Sequence, residues 1–91
     1  MIYKDRDGKE ITMLEAAILM EGEERYIGSE VVNGVRVSTV HIPLPQMDWQ
    51  TGKLDKYFET MIFPGEHQWR YNTLAEAISG HTDAIKFAKK L

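Results

Sequence analysis

Hydrophobic and polar residues recur along the chain with two periods, near two and near 3.6 residues, and each switch marks an element. The clearest period-two run is "RYIGSEVVNGVRVSTVHI", residues 25–42. Its β-rich halves flank Asn33-Gly34, the dipeptide that suits a tight type I′ hairpin because both residues tolerate positive φ. A two-residue turn pairs Val32 with Val35, Glu30 with Val37, Gly28 with Thr39 and Tyr26 with His41 on one face. It pairs Val31 with Arg36, Ser29 with Ser38, Ile27 with Val40 and Arg25 with Ile42 on the other. Neither face is cleanly apolar, so either the register differs or both faces are partly covered, as by another subunit.

A second strand pair is expected in "YFETMIF" and "HQWRYN", joined by Pro64-Gly65-Glu66. Alternation puts Tyr57, Glu59, Met61 and Phe63 on one side and Phe58, Thr60 and Ile62 on the other. Trp69 and Tyr71 are expected to face the core. Between the hairpins, "PLPQMDWQTGKLDK" (residues 43–56) reads as a long loop, because Pro43 and Pro45 remove ladder donors and end a strand.

The helical period appears twice. Thr12 and Glu15 have the spacing of a capping box, and Leu14, Ala17 and Ile18 then mark one face of a short helix that stops near Gly22. Thr73 and Glu76 repeat that spacing. Leu74, Ala77, Ile78, His81, Ala84, Ile85 and Ala88 draw the stripe of a longer helix running nearly to Leu91. At the start, "IYKDRDGKEIT" reads as two very short extended pieces around a turn at Asp7-Gly8. The expected fold is α+β, with 1–91 as one domain: a small antiparallel sheet of about four main strands, the Asn-Gly hairpin plus the second strand pair, packed by a long C-terminal helix, with a short N-terminal helix.

Composition narrows the functions. Net charge is −3, from 11 basic and 14 acidic residues, and the only basic cluster is Lys86, Lys89 and Lys90. Those cations complement the negative end of a helix dipole, so nucleic acid is not an expected partner. With no cysteine there is no disulfide, thiolate nucleophile or zinc–thiolate site. No apolar run is long enough for a membrane span, and the first ten residues lack a signal peptide's apolar core. The expectation is a cytoplasmic protein with no membrane partner. A chain of 91 residues buries a modest share of its surface, so self-association is a natural supplement.

Candidate chemistry concentrates in "ETMIFPGEHQWRY", residues 59–71. Glu59, His67 and Arg70 could line a polar pocket beside Tyr57 and Trp69, with Arg70 as a planar donor fork and the aromatics as stacking faces. Equally, Glu59 and Arg70 could form a cross-strand ion pair on a wet face. Trp49 is either a lid folded over the sheet edge or a ligand or interface contact. His81, on the apolar helix face, is either a satisfied half-buried histidine or a contributor to the pocket. The three histidines, His41, His67 and His81, lack metal-ligand spacing, so no metal or cofactor is expected. Nucleophile-elbow and P-loop signatures are absent. An acid–base pair of Glu59 with His67 is the remaining enzymatic reading, and the expectation is a non-enzyme.

"VSTV" (37–40), "FETMIF" (58–63), "WRYNT" (69–73), Glu76-Ala77 and Gly80-His81 together resemble a group of small bacteriophage and prophage proteins, over about residues 33–91. Where those relatives have a glycine-rich loop after the second strand, this chain has "PLPQMDWQ". The resemblance implies a phage accessory protein acting inside a bacterial host. It also implies binding rather than catalysis, either of a small molecule such as a signalling nucleotide or of a host protein. The residues expected to bind are Trp49, Tyr57, Glu59, His67, Trp69, Arg70 and His81, in an expected homo-oligomer. The alternatives are a protein–protein inhibitor that uses a sheet edge or the 43–56 loop, and the small acid–base enzyme.

Overall fold

A computed structural model describes residues 1–65 and 67–91. Glu66, the third residue of the expected Pro-Gly-Glu turn, lies outside the described residues. The elements in chain order are β1 (Tyr3–Lys4), β2 (Glu10–Ile11), α1 (Met13–Glu21), a single 3₁₀ turn (Glu23–Arg25), β3 (Tyr26–Val32), β4 (Val35–Met47), β5 (Leu54–Phe63), β6 (Gln68–Tyr71) and α2 (Leu74–Ala88). Strands β3 to β6 form an antiparallel meander in the order β3-β4-β5-β6, and β1 with β2 makes a separate two-stranded ribbon. The α+β architecture is the expected one.

The Asn33-Gly34 hairpin forms with positive φ at both residues. Its register matches the two-residue turn from Val32↔Val35 as far as Gly28↔Thr39. Beyond that the pairing shifts, and Tyr26 opposes Val40 instead of His41, because Ile27 is an extra residue in β3. The bulge turns Ile27 inward to pack with Tyr57, Phe58 and Ala77.

The long loop expected over 43–56 is not a loop. β4 continues through both prolines to Met47 and β5 starts at Leu54, leaving only residues 48–53 as a connection. That connection is closed by the Asp48 amide donating to the Lys53 carbonyl at 2.8 Å and the Gly52 amide donating to the Asp48 carbonyl at 2.8 Å. The prolines fit because they fall where no ladder donor is required. His41 pairs with Phe58 and Gln46 with Lys56, so residues 42–45 lie in an irregularity between paired positions. Pro43 and Pro45 are buried there.

Helix α2 covers one sheet face. Both helices begin with the expected reciprocal capping box, Thr12 with Glu15 and Thr73 with Glu76, a contribution of about 0.5–2 kcal/mol for each cap. α2 turns a line of small residues, Ala77, Ala84 and Ala88, with His81 between them, onto the sheet. Ile78, expected in the same stripe, is half exposed. Two apolar clusters result. Val37, Ile62, Ala84 and Ala88 fill one end, and Tyr57, Phe58 and Ala77 the other. Each large side chain that is fully buried, such as Phe58 or Ile62, contributes about 1.5–3 kcal/mol.

In α1 the expected inward face is reversed. Leu14 is 71% exposed and Ile18 63%, while Ala16 is buried and Leu19 partly so. The helix is apolar almost all the way round, so periodicity alone could not say which side meets β4 and β1.

Candidate functional site

The register of β5 with β6 decides how the candidate residues are shared between the two sheet faces. Glu59 pairs with Arg70 and Thr60 with Trp69. Alternation then sends Glu59, Gln68 and Arg70 to the face away from α2, and His67, Trp69 and Tyr71 to the α2 face. The seven expected binding residues therefore do not form one pocket.

On the open face, Glu59, Arg70 and Trp49 come together. Arg70 Nε donates to Glu59 Oε2 at 3.1 Å, and one terminal nitrogen of Arg70 donates to the Met47 carbonyl at 2.8 Å. Gln68 donates to the other carboxylate oxygen, Glu59 Oε1, at 3.3 Å. The guanidinium carbon lies 3.8 Å from the centre of the Trp49 ring, in a cation–π stack. Glu59 and Arg70 are mostly buried as side chains, at 13% and 18% exposed. Trp49 itself is 57% exposed. It is neither a lid over the core nor a loosely held side chain: it caps the β4–β5 hairpin on a fixed cationic base. The turn beneath it is held by Asp48, which accepts from the Gln50 amide at 2.8 Å and pairs with Lys56 at 3.4 Å. The hydrogen bond from the Gln50 amide holds the Asp48 carboxyl below its ordinary range, burial opposes it, and Lys56 lowers it further. Met47 and Leu54, paired across the base of this turn, are both exposed.

On the α2 face, His67 stacks on Trp69 at 6.2 Å between centroids and meets the edge of Phe87 at 4.6 Å. Trp69 packs against the apolar cluster at the end of α2. Glu59 and His67 thus project from opposite faces, and the acid–base pair is not assembled. Tyr57 is buried near the β4 irregularity, where its hydroxyl donates to the Ile2 carbonyl at 2.6 Å. Burial pushes its hydroxyl pKa up.

His81 sits between the two apolar clusters in a chain of hydrogen bonds. Its Nε2 is 2.7 Å from Glu30 Oε2 and its Nδ1 is 2.6 Å from Thr39 Oγ1, which lies 2.6 Å from Thr60 Oγ1. A carboxylate can only accept, so Nε2 donates to Glu30. In the neutral ring Nδ1 then accepts the Thr39 proton, and the Thr39 oxygen accepts from Thr60. The order carboxylate–imidazole–hydroxyl is that of a nucleophilic triad. Here, however, both threonines have no solvent-accessible surface. The network ties β3, β4 and β5 to α2, filling the polar gap between two apolar clusters and fixing the helix over the sheet.

Gly28 makes room for this network: a Cβ there would lie 2.5 Å from His81 Nε2. Glu30, Thr39 and Thr60 escaped the sequence-based selection of site residues. The signal existed, since the hairpin pairing already put Gly28, Glu30 and Thr39 on one face. What was missing was the face on which α2 lies.

His41 forms a third polar point. Its Nε2 donates to the Lys4 carbonyl at 2.9 Å and holds the β1–β2 ribbon against the sheet. Burial lowers its pKa, the Lys4 bond opposes that, and nearby Arg6 lowers it further. Among the described residues, no group of three or more His, Asp or Glu side chains could hold a metal ion. No helix among them is long and apolar enough to cross a membrane.

Compared with models of protein families, with curated proteins and with solved structures, the chain matches none.

Proposed function

We propose that the chain is a non-enzymatic binding protein that docks on a protein partner through the tip of the β4–β5 hairpin and the adjoining open sheet face, with Trp49 as its anchor. The observation that carries this reading is the fixed exposure of Trp49. A large ring left more than half exposed on a turn is a poor use of apolar surface unless something else covers it. Arg70 holds the ring from below and is itself held by Glu59 and the Met47 carbonyl. Little side-chain freedom remains to be lost on binding, which is the character of an interface hot spot. Met47 and Leu54, exposed and paired across the base of the turn, extend the apolar surface, and Gln50, Lys56 and Gln68 supply polar contacts around the ring.

The resemblance to phage proteins would place the partner in a bacterial host cell, in the cytoplasm. Self-association across the open face is the other form that docking takes. Capture from a bacterial lysate with the tagged chain, run beside Trp49→Ala, tests the reading. One stoichiometric partner retained by the wild type and lost by the variant supports it. Sedimentation equilibrium on the same two proteins identifies a partner that is a second copy.

A small-ligand reading is favoured by a different feature. A cleft of about 550 Å³ opens between the turn at residues 5–8, the rings of Tyr57 and Phe58, and the start of α2. That volume suits a small molecule. Lys4 and Arg6 line it together with Asp5 and Asp7, and the Arg6 Nε is buried without a partner, so a small molecule with an apolar body and a hydrogen-bond acceptor for Arg6 is the ligand class it would take. Equilibrium dialysis against nucleotides, with Ile78→Arg as a variant that blocks the cleft wall, tests this. No retained nucleotide, or retention unaffected by the variant, removes it.

A further inference from the structure

Helix α1 leaves unused a face that its own sequence would be expected to bury. It packs on β4 and β1 through the side bearing Ala16 and Leu19. At 100° per residue, the exposed arc runs from Met20 through Met13, Ala17, Glu21, Leu14 and Ile18 to Glu15. Five of those seven positions are apolar and two are acidic. A helix apolar on all sides is ordinarily buried on all sides. The acidity continues past the helix. From residue 10 to residue 24 there are five glutamates, Glu10, Glu15, Glu21, Glu23 and Glu24, and no basic residue. All five are exposed. The surface is therefore an apolar stripe with two methionines and a mainly acidic border, in which five glutamates outnumber Arg25 and Arg6, whose guanidiniums donate to the Met20 and Glu24 carbonyls at and just past the end of the helix, and each property selects a partner. The stripe at i, i+3, i+4 spacing fits the apolar face of another helix. Methionine adapts its shape to different partners. Five like charges favour a cationic partner and disfavour an acidic one, including an anionic membrane surface.

We infer that the outer face of α1 is a second docking surface, and that its occupant is a basic amphipathic helix of a partner protein. Leu14, Ala17 and Ile18 take the partner's apolar stripe, and the glutamates pair with lysines or arginines beside it. A second copy of this chain presenting its own α1 would set these glutamates against one another, which disfavours a symmetric α1–α1 contact. The inference is independent of the Trp49 surface, and Trp49→Ala leaves it untouched.

The test uses the full chain and a fluorescein-labelled peptide of about 18 residues, five turns of helix, with leucines at i, i+3, i+4, i+7 spacing and lysines elsewhere. Binding is read by anisotropy. The expected result is saturable binding that weakens as salt rises and is absent for the same peptide with glutamates in place of the lysines. Leu14→Gln with Ile18→Gln keeps good helix formers at two exposed positions, so the fold is retained. It should lower the affinity about tenfold or more, as loss of central apolar anchors does. Glu15→Gln with Glu21→Gln keeps the capping box and should flatten the salt dependence. Equal binding of the acidic peptide overturns the inference, as does undiminished binding by the Leu14/Ile18 variant. So does a wild-type dimer that the Leu14/Ile18 variant converts to monomer, because a second copy would then cover the face.

Discussion

Arg70 lies beneath the ring of Trp49, with its guanidinium carbon 3.8 Å from the ring centre, and reaches it from a neighbouring hairpin. The same side chain joins β6 to Glu59 on β5 and to the Met47 carbonyl on β4. One residue therefore couples the edge strand, its neighbour and the tip of the β4–β5 hairpin.

Replacing Arg70 by alanine leaves Glu59 mostly buried without its ion pair. The expected loss of stability is about 1.5–3 kcal/mol, the range for a lost hydrogen bond to a charged group. Arg70→Lys should recover only part of it, because an ammonium cannot serve Nε and terminal contacts at once or stack flat on the indole. Urea unfolding of the three proteins checks both statements, and full recovery by lysine would contradict the geometry.

Gly80→Ala should destabilise the protein, although the same change in an exposed helix would stabilise it by about 1 kcal/mol. A Cβ at this position would fall on the Tyr71 ring. Displacing that ring should cost about 1–3 kcal/mol, as overpacking does. A rise in the melting temperature would show that Tyr71 does not press on α2 as described.

The buried threonine pair should behave as a unit. Thr39→Val leaves His81 Nδ1 facing a methyl group, and Thr60→Val leaves Thr39 with one partner fewer. Each should cost about 1–3 kcal/mol, and the double variant less than the two together, because an unpaired partner is then removed as well. Additive losses in a double-mutant cycle would mean that the two hydroxyls are not coupled.

His41 makes stability depend on pH. Its folded-state pKa lies below the ordinary 6.5, chiefly through burial. The unfolded chain therefore takes up a proton at a pH where the folded chain does not. Its contribution is complete above about pH 6.5 and is lost as pH falls through the lowered folded value. His41→Gln keeps a donor for the Lys4 carbonyl and does not titrate, so it should flatten the fall in melting temperature between neutral and mildly acidic pH. An unchanged slope would assign that fall to other groups.

Local chemistry was legible in the sequence wherever one short stretch decides the outcome. The capping boxes at Thr12 and Thr73, the Asn33-Gly34 turn and its register as far as Gly28 all follow from adjacent residues. The failures lie where a distant contact decides. Pro43 and Pro45 looked like the end of β4, but an irregularity opposite β5 spares them the ladder bonds they cannot make. Leu14 and Ile18 looked inward because the pattern of α1 has no polar side to orient it. Among the candidate site residues, alternation alone separates His67 and Trp69 from Arg70. Placing Glu59 with Arg70 required the β5–β6 register, and placing Trp49 above both required the course of β4.

The most direct measurement is the equilibrium affinity of the purified chain for its captured partner, by titration calorimetry, with wild type and Trp49→Ala side by side. Trp49 is more than half exposed and its loss removes only the stack on Arg70, about 0.5–1 kcal/mol, so both proteins should be fully folded where binding is measured. A loss of about 2 kcal/mol or more, roughly thirtyfold in affinity, is the size of a hot-spot residue and is the result expected here. A Trp49→Ala protein that is equally folded and binds with wild-type affinity would place the binding surface elsewhere on the molecule.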